Sequence, residues 1–221
     1  MTIGLTKEAM ARRAARAIPD GSIVNLGIGT PSLVGDFLPP ERDIWVQVEN
    51  GALGIGPRAA EGEEDLDLIN ASREYVTLRP GGSYFHHADS FALIRGGHVD
   101  VSVMGGLQVS ERGDLANWSV PGAVSGGIGG ARDLAAGAKQ VFVLMSHVTR
   151  EGEPKVLREC TYPLTARRVV SLIITDLALI EVAPEGLFLR ERAPDVTVDE
   201  IIERTEVTLK VEGDVKTMDA K

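Results

Sequence analysis

Apolar positions along the chain alternate between two spacings. Ala9, Met10, Ala14, Ala15 and Ile18 recur near the helical period, which predicts an amphipathic first helix, followed by a turn at Pro19-Asp20-Gly21. Short apolar runs at 22–28, 44–48, 75–78, 99–104, 141–145, 171–175 and 187–189 read as strands. Between them, Thr30-Pro31 predicts an N-cap and first helical proline, with a short helix that must stop by Pro39-Pro40. Asp89 is expected to cap a second helix that runs to Arg95 and ends at Gly96-Gly97, and a third helix starts at Ala131. Thr197-Val198-Asp199-Glu200 has the form of a capping box. Pro80-Gly81-Gly82 should stop the strand at 75–78, 111–114 and 151–154 read as turns, and the acidic run 61–67 reads as a solvated loop. No repeat, low-complexity tract or linker divides the chain, so one α/β layered domain over 1–221 is expected.

Several predicted strands run into glycine, giving corners at 27–29, 51–56 and 126–130. In open α/β sheets, ligands collect beyond the carboxyl ends of strands. The stretch VQVENGALGIGP puts a carboxylate, Glu49, at such an end. A buried carboxylate without a partner is costly, so Glu49 is either a capped or ion-paired residue or a working one: a base, a metal ligand or a nucleophile. His86, His87, His98 and His147 make no recognised ligand spacing with Glu49 or Cys160, and no metal is expected. One ring of the His86-His87 pair should pack and the other be solvated. His98 closes a helix, and Trp45 and Trp118 read as core or interface anchors. The run GGIGGARDL could present backbone N–H groups to a phosphate or an oxyanion. It is neither a dinucleotide fingerprint nor a P-loop.

Charge narrows the choice. The 221 residues carry 23 basic and 32 acidic side chains, net −9, which argues against nucleic acid and against anionic membranes as partners. No apolar run approaches the ~18 residues of a membrane span. The lone cysteine, Cys160, suits a reducing, cytoplasmic setting and a structural thiol. The arginine-rich start could pass for an organelle transit segment, but the helical spacing there favours a folded first helix.

Glu49-Asn50-Gly51 with Leu53-Gly54-Ile55-Gly56-Pro57 resembles the active-site signature of family I CoA-transferases. The likeness continues in order through 67–71, 90–100, Gln108-Val109-Ser110, 113–118, 129–131 and 160–165, and is strongest to beta subunits of 3-oxoacid and 3-oxoadipate CoA-transferases. The resemblance implies an open layered α/β sandwich with a mixed, largely parallel sheet. It implies Glu49 as the nucleophile, Gly130 and Ala131 as oxyanion donors, and Asn50, Gly51, Gly105, Gly106 and Gln108 as substrate-pocket candidates. It further implies ping-pong transfer of CoA from an acyl-CoA such as succinyl-CoA to a 3-oxo acid. Coenzyme A would be a substrate and no resident cofactor is expected. The partner would be a separate alpha subunit in a hetero-oligomer. Val48 stands where the family usually has serine, and His86-His87 replaces smaller polar residues and could shape an acyl pocket. An acyl-CoA hydrolase with Glu49 as general base, or a non-catalytic effector-binding module, are the competing readings.

Overall fold

The computed structural model describes residues 4–123 and 127–219; Gly126 of the third glycine corner lies outside them. In chain order the elements are α1 (Lys7–Ala17), β1 (Ile23–Leu26), a 3-10 helix (Thr30–Phe37), β2 (Trp45–Val48), β3 (Ala52–Arg58), β4 (Val76–Tyr84), α2 (His87–Arg95), β5 (Val101–Gly105), β6 (Gln108–Ser110) and β7 (Leu115–Ala116). They continue with α3 (Ala131–Gly137), β8 (Gln140–Met145), β9 (Val156–Leu157), β10 (Val170–Thr175), β11 (Ala178–Ala183), β12 (Gly186–Arg192), α4 (Val198–Glu203), β13 (Leu209–Lys210) and β14 (Lys216–Thr217).

Eleven strands form one sheet in the order β13-β12-β11-β10-β8-β5-β1-β2-β3-β4, with β14 also beside β12; β7-β6-β9 form a second, small sheet. The middle of the large sheet, β10-β8-β5-β1-β2, is parallel throughout. Its strands are rich in Val, Ile and Leu and buried, as parallel strands covered on both faces must be. Antiparallel strands flank it on both sides. α1 and the 3-10 helix pack together over one face. α2 and α3 pack on each other over the opposite face, where Ser90 of α2 meets Gln47 of β2. The result is the mixed, largely parallel layered α/β fold that the sequence predicts.

The chain leaves β1 for β2 on one side and returns to β5 on the other. The order therefore reverses between β1 and β5, and the crevice beyond their carboxyl ends is where an open sheet of this kind accepts a ligand.

Four local expectations are corrected. Gly29, at φ +82°, occupies the cap of the 3-10 helix in place of Thr30, and the Ser32 hydroxyl donates to the Gly29 carbonyl. α2 is capped by His86, whose Nδ1 accepts from the Ala88 N–H, while Asp89 lies within the first turn. The glycine corner 51–56 is mostly strand: β3 pairs antiparallel with β2 and β4, and only Glu49-Asn50-Gly51 forms the connection. Pro80-Gly81-Gly82 does not stop β4. As an edge strand it has no outer neighbour to miss the proline N–H, and the register jumps so that Leu53 faces Ser83 while Ile55 faces Leu78. The capping box at Thr197 and Glu200 has both halves in place.

Candidate active site

β2 carries the chain up through Val46, Gln47 and Val48, and β3 carries it back from Ala52, opposite Val48. Glu49 is therefore the first residue of a three-residue hairpin tip on a strand buried in the sheet. Gly51 closes the tip at φ +122° with its N–H on the Val48 carbonyl at 3.1 Å, and a Cβ there would run into the Phe85 carbonyl oxygen.

A cleft of about 450 Å³ opens at the reversal point. Glu49, Gly105, Gly106, Trp118, Gly130 and Ala131 line it, together with Gly27 and Ile28 just past β1. Ile28 is 73% exposed, so an apolar side chain stands at the rim uncovered. The sequence-predicted residues thus divide. Glu49, Gly105, Gly106, Gly130 and Ala131 come together. Asn50 faces outward with its amide on the Ile69 carbonyl at 3.4 Å, and Gly51 is buried in the hairpin. Gln108 does not line the cleft. Its Oε1 accepts from the Thr161 and Tyr162 N–H groups at 2.9 and 3.0 Å, and its Nε2 donates to Thr161 Oγ1 at 2.9 Å, so it pins the segment after Cys160.

The Glu49 carboxylate makes no hydrogen bond or ion pair with the described residues. Burial raises its pKa, and the neighbouring His87 imidazole acts in the opposite direction. Its Oε2 lies against the start of α3: a Cβ built on Gly130 would come within 3.0 Å of it and within 2.9 Å of the Phe91 ring. Gly130 caps α3 at an unstrained φ of −77°. Its N–H makes no hydrogen bond to the described residues, whereas the Ala131 N–H already donates to the Ile128 carbonyl at 3.2 Å. Of the two oxyanion donors implied by the resemblance, Gly130 is available and Ala131 is engaged.

The far wall is held from behind. Asn117 donates to the Gly105 carbonyl at 3.1 Å and accepts from the Thr165 hydroxyl at 2.6 Å. Lys155 reaches Ser146 Oγ at 3.1 Å and the Gly106 carbonyl at 3.4 Å, and burial lowers its pKa. Cys160 is half-buried with its thiol on the Asp114 carbonyl, and burial with the Asp114 charge pushes its pKa to about 12, which makes it an inert structural thiol. Of the histidines, His147 is wholly buried between two threonine hydroxyls, while His86 and His87 are both exposed. His87 meets Phe91 in a T-shaped ring contact and puts its Nδ1 2.9 Å from the Glu49 carbonyl oxygen; it does not line the cleft. Trp45 is stacked under the Arg79 guanidinium. Among the described residues no cluster of three or more His, Cys, Asp or Glu side chains could hold a metal ion, and no helix is long and apolar enough to cross a membrane.

Beneath Glu49 runs a polar chain that sequence reasoning missed. Asn25 donates to Gln47 Oε1 at 2.8 Å, Gln47 Nε2 donates to Ser90 Oγ at 2.6 Å, and Ser90 Oγ donates to the Val48 carbonyl at 3.3 Å. The available signal was one polar residue in each of two apolar strands, Asn25 in β1 and Gln47 in β2, which are partners in register.

Comparison with known proteins follows the same lines. The profile of the family described as Coenzyme A transferase matches residues 7–204. The chain is 50% identical over 207 residues to the B subunit of the 3-oxoadipate CoA-transferase of Acinetobacter baylyi, covering 93% of this chain and 95% of that one. It is 48% identical over 209 residues to the B subunit of the probable succinyl-CoA:3-ketoacid coenzyme A transferase of Bacillus subtilis, covering 95% and 97%. Among solved structures, an acyl-CoA transferase of Escherichia coli O157:H7 superposes with a TM-score of 0.75 at 20% identity; it covers all of this chain, which spans 44% of that longer one.

Proposed function

The chain belongs to the coenzyme A transferase family, and we propose that it is the catalytic beta subunit of an enzyme that moves CoA from an acyl-CoA such as succinyl-CoA to a 3-oxo acid such as acetoacetate or 3-oxoadipate. The names of its relatives at 50% and 48% identity support the acid class, and their designation as B subunits supports a separate alpha partner. The observation that carries the mechanism is the Glu49 carboxylate: fixed at a strand end, unpaired among the described residues, desolvated, and in contact with the start of α3.

Glu49 attacks the thioester carbonyl and expels CoA thiolate, leaving a mixed anhydride. The thiolate attacks the activated Glu49 carbonyl and releases the first acid, leaving a glutamyl-CoA thioester. The acceptor carboxylate then attacks that thioester, and the thiolate returns to the new acyl group, which restores Glu49. No proton need reach a leaving group, so no partner base is required, and ping-pong kinetics follow. Desolvation strips water from the attacking carboxylate and protects the anhydride from hydrolysis. Each addition puts negative charge on an oxygen, and the Gly130 N–H, which bonds to none of the described residues and belongs to a residue lining the cleft, is the donor assigned to it; such a donor is worth ~3 kcal/mol. The Ala131 N–H can join only if it gives up the Ile128 carbonyl.

Coenzyme A is a substrate in this scheme. Among the described residues, no lysine or arginine lines the cleft, although CoA is strongly anionic. The phosphates are therefore held outside it, in keeping with a site completed by a separate alpha chain.

The test is to incubate the complex with succinyl-CoA, reduce with borohydride and map the peptides by mass. Reduction of the thioester should mark Glu49, and Glu49→Ala in the reassembled complex should lose turnover. An unmarked Glu49 in an active complex would refute the assignment, and CoA release without an acceptor acid would point to a hydrolase.

A further inference from the structure

His87 and Ser90 lie three residues apart on α2 and so share one face of the helix. That face meets two consecutive peptide carbonyls, those of residues 48 and 49. His87 Nδ1 lies 2.9 Å from the Glu49 carbonyl oxygen, and since a carbonyl only accepts, Nδ1 carries the proton. Ser90 Oγ donates to the Val48 carbonyl at 3.3 Å, which also accepts from Gln47 Nε2 at 3.1 Å. From the same face Phe91 meets the His87 ring in a T-shaped contact and sits against Gly130.

We propose that the first turn of α2 is a clamp that fixes the direction of the Glu49 side chain, with His87 and Ser90 as its positioning residues. The clamp rests on Glu49 being the nucleophile, and it assigns work to groups that take no part in the covalent steps.

Two physical points carry it. The buried Val48 carbonyl takes the turn bond from the Gly51 N–H and is held by two side chains besides, and the Glu49 carbonyl, at the tip where water would ordinarily serve, is held by His87. Behind them, Asn25, Gln47 and Ser90 are 3%, 1% and 0% exposed in an otherwise apolar core. Buried polar side chains stabilise little compared with apolar ones, but a fully satisfied chain of them admits one geometry. Nucleophilic attack needs that: a working group must be held within about 0.5 Å, and a misplacement of about 1 Å costs on the order of a hundredfold in rate. The Glu49 carboxylate has no partner of its own among the described residues, so its aim is set through its backbone.

Ser90 is fully buried and its replacement could unfold the helix contact, so His87, which is exposed, carries the test. His87→Phe keeps an aromatic ring against Phe91 and removes the donor; His87→Asn returns an N–H near the position of Nδ1. In the complex with the alpha partner, assayed with succinyl-CoA and acetoacetate or 3-oxoadipate, His87→Phe should lower kcat at least tenfold. KM for the acyl-CoA should stay within about twofold and the melting temperature should be unchanged. His87→Asn should recover most of kcat. Wild-type kcat in His87→Phe, or His87→Asn no better than His87→Phe, overturns the clamp. Glu49→Gln measured alongside separates the two ideas: if it turns over, the nucleophile is wrong; if it is dead while His87→Phe is normal, only the clamp is wrong.

Discussion

Gly130 and Glu49 belong to segments about eighty residues apart in the chain, yet they touch, and no spare volume separates them. An added methyl at Gly130 would meet the Phe91 ring at 2.9 Å, closer than side-chain carbons come, and Glu49 Oε2 at 3.0 Å, close enough that the carboxylate must shift aside. The backbone there has φ −77°, which any residue adopts, so the penalty falls on the site and not on the fold. Gly130→Ala should therefore lower kcat at least tenfold while the melting temperature moves little; kinetics and a thermal scan on one preparation check both halves. The role of Glu49 was legible only as a set of choices until the motif resemblance was added, because spacing does not distinguish a capped carboxylate from a nucleophile. The positioning role of His87 was not legible at all. Its bond to the Glu49 carbonyl depends on how a helix docks on a hairpin some forty residues earlier.

The hairpin formed by β2 and β3 depends on its last turn residue. Gly51 sits at φ +122°, and a Cβ would strike the Phe85 carbonyl, whose residue also donates its N–H to the Gly51 carbonyl at 2.9 Å. Gly51→Ala combines left-handed strain, typically ~1–3 kcal/mol, with a backbone collision. In contrast to Gly130→Ala, it should lower the melting temperature and the activity together. The same glycines explain what sequence reading could and could not reach. The core strands β1, β5, β8 and β10 were plain as apolar runs, while their parallel direction came from the resemblance. β3 was hidden because Gly54 and Gly56 interrupt it: Gly54 at φ +92° lies against Trp45 and Gly82, and Gly56 lies against Thr77, so both are close-approach positions in a strand. β4 was cut short at Pro80 because a proline ends a strand in the interior of a sheet but not at its edge.

His147 ties the carboxyl-terminal part of the fold to the sheet. Its Nδ1 meets Thr175 Oγ1 at the end of β10 and its Nε2 meets Thr205 Oγ1 just past α4, each at 2.9 Å. The Thr205 hydroxyl donates to the Ile201 carbonyl at 2.7 Å, so it accepts from Nε2–H. On the other side the single proton of Thr175 Oγ1 faces both Nδ1 at 2.9 Å and the Ala178 carbonyl at 3.2 Å, so the neutral ring has a polar partner at each nitrogen. Burial, with Arg204 and Lys155 nearby, lowers its pKa to about 4. The unfolded chain therefore binds a proton that the folded chain refuses between about pH 6.5 and 4. Stability is intact above that window and falls as pH drops through it, by roughly 3 kcal/mol in total. Urea unfolding at about pH 7.5 and about pH 5 should show the loss in the wild type and much less of it in His147→Gln, because most carboxylates are still ionised at the lower value.

Cys160, fastened to the Asp114 carbonyl and with a pKa of about 12, has a bearing on the currency of the reaction. Near pH 8 only on the order of one part in ten thousand of it is thiolate. In the proposed scheme a glutamyl-CoA thioester forms on the chain, and a cysteine so rarely ionised is a poor competitor for it. Capping of this chain by oxidised CoA as a mixed disulfide should therefore be slow, and an aromatic disulfide dye added to the native chain should react with free coenzyme well before Cys160.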